Sequence, residues 1–328
     1  MQKAQPIVVV LGTGGTIAGT AADAADNVGY RAAQLGADSL VALIPALAGE
    51  AIEVQQVAQI DSKDMDVVTW RALATCVDAQ LARPEVGGVV ITHGTDTLEE
   101  TAYFLQRVLA PHKPVVLVAA MRPATALLAD GPQNLLDAVR VAQVPGARGV
   151  VAVLAGKVHG AWDVRKVHTY RLDAFDSGDA GPIAQIEEGR LRQHRAWPDG
   201  EASGIARLPA DPAAWPRVEI VTSHAGACGA LVRLLMEAKV HGIVVAGTGN
   251  GSLHHALEAA LLDAQTAGIA VLRSSRCLGG SVIDATPPVL ASAGALTPGQ
   301  ARIELMLRAL CGDAEVNAGA GARPSPPR

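Results

Sequence analysis

An unbroken apolar run, Val8-Val9-Val10-Leu11, passes straight into Gly12-Thr13-Gly14-Gly15-Thr16-Ile17-Ala18-Gly19. Apolar runs without polar alternation mark strands buried on both faces of a parallel sheet. Val54 to Ile60, Gly88 to Thr92, Pro114 to Ala120 and Gly149 to Leu154 read as further strands. Helical segments fall between them. Ser39 is placed to cap a helix running to about Leu47, and another covers Asp66 to about Ala82. Thr97-Leu98-Glu99-Glu100 has the form of a capping box opening a helix to Leu109. Gly131 to Val141 is a helix with Gln133, Asp137 and Arg140 as its polar face. This β-α alternation predicts a doubly wound α/β domain with a mainly parallel sheet and right-handed crossovers.

The texture changes at Gly156, where short β segments alternate with glycine and charge as far as about Gln193. Hairpins are expected there. His194 to Pro216 holds four prolines and reads as a linker. A second strand–helix rhythm follows: strands at Val218 to Thr222, Gly242 to Val245 and Ala270 to Arg273, and helices over Cys228 to Lys239, Ser252 to Ala267 and Pro298 to Leu310. The expected organisation is thus a larger N-terminal α/β catalytic domain (1–193), a linker (194–216), a smaller C-terminal α/β domain (217–311) and a disordered tail (312–328). The stretch from Thr20 to Gly36 is small and polar, too poor in large apolar residues for a packing helix. It is expected to be a flexible loop of the kind that closes over sites.

Composition narrows the function classes. The 328 residues are 49% hydrophobic but only 3% aromatic, so the core must be mostly Ala, Val and Leu. A net charge of −5 without a basic stripe argues against nucleic acid. An anionic substrate would have to be held locally. No apolar run reaches membrane-span length, and the N-terminal residues lack an apolar signal region ending in small residues; a cytoplasmic protein is expected. Cys76, Cys228, Cys277 and Cys311 form no CxxC pair and are expected as buried free thiols.

The glycine loops exclude several chemistries. Gly12 and Gly14 begin a dinucleotide fingerprint, but Ile17 occupies its third position; in the loop Gly247 to Ser252 that place is Ser252. Neither loop carries the P-loop lysine, no Gly-x-Ser-x-Gly elbow occurs, and no metal-ligand spacing is present, so no cofactor and no metal are expected. His254-His255 lies on a predicted helix, where successive residues face different ways, which favours a solvated or cap-side role over a metal site. His93 ends a strand and is expected to make structural hydrogen bonds.

What remains is a set of hydroxyls at strand ends: Thr16 after the first strand, Ser62 after the second, Thr95-Asp96 after the third. In a parallel sheet these ends share one edge, where ligands bind. A nucleophilic threonine needs a base or an oriented proton relay; Lys166, in Trp162-Asp163-Val164-Arg165-Lys166, is the candidate partner, although surface lysines are the usual case.

Thr13-Gly14-Gly15-Thr16-Ile17-Ala18-Gly19 and Ile91-Thr92-His93-Gly94-Thr95-Asp96-Thr97-Leu98-Glu99-Glu100-Thr101 resemble the two signature motifs of the bacterial L-asparaginase (asparaginase/glutaminase) family. The resemblance continues through Ala120-Met121-Arg122-Pro123, Ala129 to Leu135, Asp163-Val164-Arg165-Lys166, Gly249-Asn250-Gly251 and Arg273-Ser274-Ser275-Arg276. It implies an L-asparagine amidohydrolase with weaker glutaminase activity. It also implies a homotetramer, a dimer of intimate dimers with sites shared between neighbouring subunits. Thr16 resembles the primary nucleophile and Tyr30 its lid tyrosine; Thr95, Asp96 and Lys166 resemble the second triad. Ser62 and Asp96 would hold the substrate's α-carboxylate and α-ammonium groups, and the N–H groups of Gly15 and Thr95 would form the oxyanion hole.

The chain departs from the family pattern at Lys63, where many members have Gln or Glu, and at Ser252, where some have Asn. No glutamate between Leu278 and Pro288 matches the family's intersubunit carboxylate, for which Asp284 is the substitute candidate. Only Cys76 falls near the cysteine pair that some exported members bridge. The resemblance leaves open which threonine attacks first. A reading from another class is a non-catalytic module binding amino acids or phosphates through the same loops; it predicts stoichiometric binding without ammonia release.

Overall fold

The structure, a computed structural model, describes residues 5–285 and 288–312. Two compact units divide the chain, Met1–Ile205 and Ala206–Arg328. The first is built on an eight-stranded sheet. In chain order its core is β1 (Ile7–Gly14), α1 (Ala37–Ala42), β2 (Ile52–Ile60), α2 (Val67–Leu81), β3 (Val86–Thr92), α3 (Leu98–Leu109), β4 (Pro114–Val118), α4 (Gly131–Ala142) and β5 (Gly149–Leu154). These five strands are parallel, in the spatial order β5-β4-β3-β1-β2. From β5 the sheet continues antiparallel through β6 (Lys157–Gly160), β9 (Ala184–Glu187) and β10 (Arg190–Gln193). Between β6 and β9 in the chain, β7 (Arg165–Lys166) and β8 (Phe175–Asp176) form a separate two-stranded antiparallel ribbon. Both α/β winding and the hairpin texture after Gly156 are as the apolar pattern implies.

The order β2-β1-β3 means that the chain leaves β1 in one direction and returns past it to β3. In open α/β sheets the crevice at this reversal, beyond the strand carboxyl ends, is where ligands bind. Alternate residues of the buried strands face opposite sides. Val8, Val10, Val90, Val116, Val118, Val151 and Val153 pack with Leu40 of α1 and Leu135 and Val139 of α4 in one core cluster. On α2 and α3, Trp70 and Phe104 stack with ring centroids 5.0 Å apart.

The second unit has three parallel strands, β11 (Val218–Thr222), β12 (Gly242–Gly247) and β13 (Ala270–Ser275), with α5 (Ala230–Glu237), α6 (His255–Thr266) and α7 (Pro298–Cys311). Its own core gathers Val232, Leu235, Ile243, Val245, Leu257, Leu261 and Val271. Thr297 caps α7 in a full capping box with Gln300, and Gly312 ends the helix at a φ of 68°. The expected tail, apart from Gly312, lies outside the described residues. No helix among those described is long and apolar enough to cross a membrane.

Several local expectations are corrected. α1 starts at Ala37 with Gly36 at its N-cap, so Ser39 lies inside the helix; Pro45 forces Ile44 into an extended conformation and stops the helix short of Leu47. Thr97 makes no cap hydrogen bond, because its hydroxyl is turned to the Ser62 carbonyl. None of the four thiols is buried: Cys228 and Cys277 are exposed, in loops rather than in apolar elements, and Cys76 and Cys311 are half-buried. His254 and His255 do not face apart. α6 begins only at His255, leaving His254 extended as its N-cap with its ring accepting the Ala256 N–H, and the two imidazoles stack at 4.4 Å.

Candidate active site

The loops leaving β1 and β3 touch backbone to backbone. Gly15, at a φ of 82°, is free of the strain an L side chain would meet there, and a Cβ on it would collide with the Gly94 backbone. This contact brings the two threonine motifs together at the β1/β3 reversal. Thr16 opens a single 3-10 turn, Thr16–Ala18, and is 8% exposed; Thr95 is 6% exposed.

Tyr30 reaches this point from the Thr20–Gly36 segment. Its hydroxyl and that of Thr16 lie 2.7 Å apart. The segment has no helix; it is folded back by a paired bridge between Thr20 and Arg31, and the Asp26 carboxylate accepts the N–H groups of Val28 and Gly29. These backbone donors, Gly29 first, hold the Asp26 carboxyl below its ordinary range.

On the other side Lys166 donates to Thr95 Oγ1 at 2.9 Å and to Asp96 Oδ1 at 2.6 Å. Lys166 itself is held by its backbone N–H, which Glu99 accepts at 2.6 Å. Ser62, 2% exposed, follows β2 and joins the same group: its Oγ accepts the Asp96 N–H at 3.2 Å and its carbonyl accepts Thr97 Oγ1 at 2.8 Å. Thus Thr16, Tyr30, Ser62, Thr95, Asp96 and Lys166 form one constellation. Lys63, next to Ser62, is exposed and pairs with Asp64 and Asp61.

One expected residue stands differently. The Gly15 N–H donates to the Ile60 carbonyl at 2.9 Å, so it is already engaged and is not the oxyanion donor assigned to it above. The N–H groups of Thr16, at the start of its turn, and of Thr95 stand at these same two loops. Ser252 belongs to the second unit, exposed in a tight turn paired with Thr248. Asp284, of the same unit, is bound to Arg273 at 2.5 Å and accepts from Ser292 Oγ at 2.7 Å.

Sequence reasoning missed Glu99, read only as part of a cap, and Thr97. Both carry side-chain oxygens within four residues of Thr95, which was the available signal. Among the described residues no cluster of His, Cys, Asp and Glu fits a metal ion.

Two histidines are buried and neutral. Burial is the main cause lowering His93 to about 4; burial, then Lys157, lowers His159 to about 4. In the unfolded chain each returns to about 6.5. The folded value lies below the unfolded one, so the unfolded chain binds protons first as pH falls. Stability is therefore full above about pH 6.5 and declines below it, by about 2 kcal/mol per histidine at pH 5. Thermal unfolding followed between pH 7.5 and 5 should show a falling midpoint, and His159→Asn should remove about half the slope. A flat midpoint in the unaltered protein would mean that neither imidazole is held neutral.

The chain matches two family models: "Asparaginase, N-terminal" over residues 7–198 and "Glutaminase/Asparaginase C-terminal domain" over residues 217–315. It is 37% identical to L-asparaginase 2 of Escherichia coli (strain K12) over 319 residues, 93% of this chain and 89% of that protein. It is 36% identical to a glutaminase-asparaginase of Pseudomonas fluorescens biotype A, over 84% of this chain and 77% of that one. Among solved structures, a probable cytoplasmic L-asparaginase from Campylobacter jejuni superposes with a TM-score of 0.87 at 36% identity, covering 93% of this chain and 95% of that one. A relative from Haemophilus influenzae, 37% identical over 92% of this chain and 88% of that one, is described as a probable periplasmic L-asparaginase.

Proposed function

This chain belongs to the asparaginase family, and on that footing we propose that it hydrolyses L-asparagine to L-aspartate and ammonia through a threonine acyl-enzyme. The observation that carries the reading is the Thr16–Tyr30 hydroxyl pair at 2.7 Å beside the Thr95–Lys166 pair at 2.9 Å.

Thr16 Oγ attacks the side-chain amide carbon. Its proton passes through the Tyr30 hydroxyl to the amide nitrogen, which leaves as ammonia. The developing oxyanion is held by the backbone N–H groups of Thr95 and Thr16; one such donor lowers the barrier by about 3–4 kcal/mol. Water, oriented by the Thr95 hydroxyl, then attacks the ester carbonyl, and Thr16 regains its proton as aspartate leaves. The Lys166 ammonium fixes Thr95 and neutralises charge beside it. The substrate's α-carboxylate is taken by the Ser62 hydroxyl and its α-ammonium by the Asp96 carboxylate.

Glutamine is one methylene longer, worth about 1–3 kcal/mol of discrimination, so a lower glutaminase activity is part of the proposal. The homotetramer implied by the family is carried with it, and Ser252 would then meet a neighbouring subunit's substrate. Ammonia release should be measured on fractions separated by mass. The expected result is turnover in a four-chain fraction, with kcat/KM for asparagine about 10- to 100-fold above that for glutamine. Tight asparagine binding without ammonia release would favour the non-catalytic module instead.

A further inference from the structure

Behind the Thr95 loop lies a buried hydrogen-bond chain that the proposed mechanism does not use. Trp70 Nε1 on α2 donates to Thr101 Oγ1 on α3 at 2.9 Å. Thr101 Oγ1 lies 2.9 Å from His93 Nε2, and His93 Nδ1 lies 2.7 Å from the Gly94 carbonyl oxygen. His93 and Thr101 are fully buried, and Trp70 is 4% exposed.

Elementary donor rules give this chain one direction. An indole N–H can only donate, and a carbonyl oxygen can only accept. Nδ1 facing the Gly94 carbonyl must therefore carry a proton. Burial keeps the ring neutral, so Nε2 is bare and accepts the Thr101 hydroxyl proton. That leaves a Thr101 lone pair for the Trp70 N–H. Every polar atom from Trp70 to Gly94 then has its partner, with no choice of tautomer left.

The end of the chain is what matters. The Gly94 carbonyl and the Thr95 N–H belong to one planar peptide unit and point in opposite directions. A group that fixes the carbonyl fixes the N–H. A hydrogen bond to that carbonyl also polarises the peptide and strengthens its N–H as a donor. The His93 backbone is itself anchored, donating to the Val118 carbonyl at 2.8 Å. The Gly94 backbone is closely packed: a Cβ there would collide with Ser62 Oγ.

We propose that His93, set in its Nδ1–H tautomer by Thr101 and Trp70, is a positioning residue that aims and polarises the Thr95 N–H toward the substrate's oxyanion. The inference rests on the functional reading above, in which that N–H stabilises the transition state. Its effect should therefore fall on kcat and leave KM nearly unchanged.

Asparagine offers a direct contrast with leucine at this position. Its side-chain nitrogen sits as many bonds from Cα as Nδ1 does and donates a proton; leucine puts a methyl group there. In the full-length enzyme, His93→Leu should lose about 10- to 100-fold in kcat with KM within about twofold, while His93→Asn keeps kcat within about threefold of the unaltered enzyme. Equal losses in the two variants, an undiminished kcat in His93→Leu, or a loss that falls on KM would overturn the inference. A second measurement needs no variant: 15N NMR of the imidazole in the unaltered protein should report a protonated Nδ1 and a bare Nε2, and the reverse tautomer overturns the inference whatever the kinetics. If the unaltered protein releases no ammonia at all, it is the functional reading that has failed. If it does and these contrasts are absent, the positioning role alone has failed.

Discussion

Thr16→Ala should lose at least about a thousandfold in kcat/KM for asparagine, because it removes the atom that forms the acyl-enzyme. Residual turnover would come from the oxyanion donors and the substrate holders, which stay in place. The fold should hardly notice. Among the described residues Thr16 Oγ has one hydrogen-bond partner, Tyr30, itself half-buried, so the cost of deleting it is about 1 kcal/mol. Single-turnover assays with circular dichroism as a folding control make the measurement. The variant should bind asparagine with nearly unchanged affinity and release no burst of ammonia. Turnover at the level of the unaltered enzyme, with a native spectrum, would remove Thr16 from the chemistry.

The inner strands of the parallel sheet were legible because they are apolar on both faces. Val8 to Leu11, Val89 to Ile91 and Val115 to Val118 have no polar alternation, and all are fully buried. Their carboxyl ends could be placed on one edge without any structure, and with them Thr16 and Thr95; Ser62 follows β2, a polar and mostly exposed edge strand. The order β2-β1-β3 was not legible, since apolar runs carry no record of which strand pairs with which. That order is what sets the first and third loops side by side.

Local capping was read less well, for a physical reason. Thr97 has the sequence form of a cap, but its hydroxyl serves a long-range partner, the Ser62 carbonyl 35 positions away. A short polar side chain can serve either role, and tertiary packing decides. The same applies to Gly15. Its place in the motif suggested an oxyanion donor, yet its N–H closes the register with β2 at Ile60. The Trp70–Thr101–His93 chain was out of reach for another reason. Trp70 is separated from Thr101 by 31 positions, and nothing in the spacing joins an α2 indole to an α3 hydroxyl.

Lys166 offers the second large effect, and its sign on binding is the informative part. The ammonium is shared between Thr95 Oγ1 and Asp96 Oδ1. Lys166→Met keeps the length and the apolar stem while removing charge and donors. Without it the Thr95 hydroxyl loses its orienting partner, and kcat should fall by about 100- to 10,000-fold, the range of a lost proton-transfer group. Asp96, however, gains freedom. Its carboxylate is no longer neutralised by Lys166 and is left to pair with the substrate's α-ammonium alone. KM should therefore stay level or fall while kcat collapses. Lys166→Arg should not restore activity, since a planar guanidinium cannot reproduce the point contact to both oxygens. Thermal stability should move little, because the Asp96 side chain is 53% exposed and such half-exposed pairs are worth below about 1 kcal/mol. A kcat unchanged in Lys166→Met would separate this lysine from turnover; a large rise in KM at constant kcat would make it a substrate holder in place of a partner to Thr95.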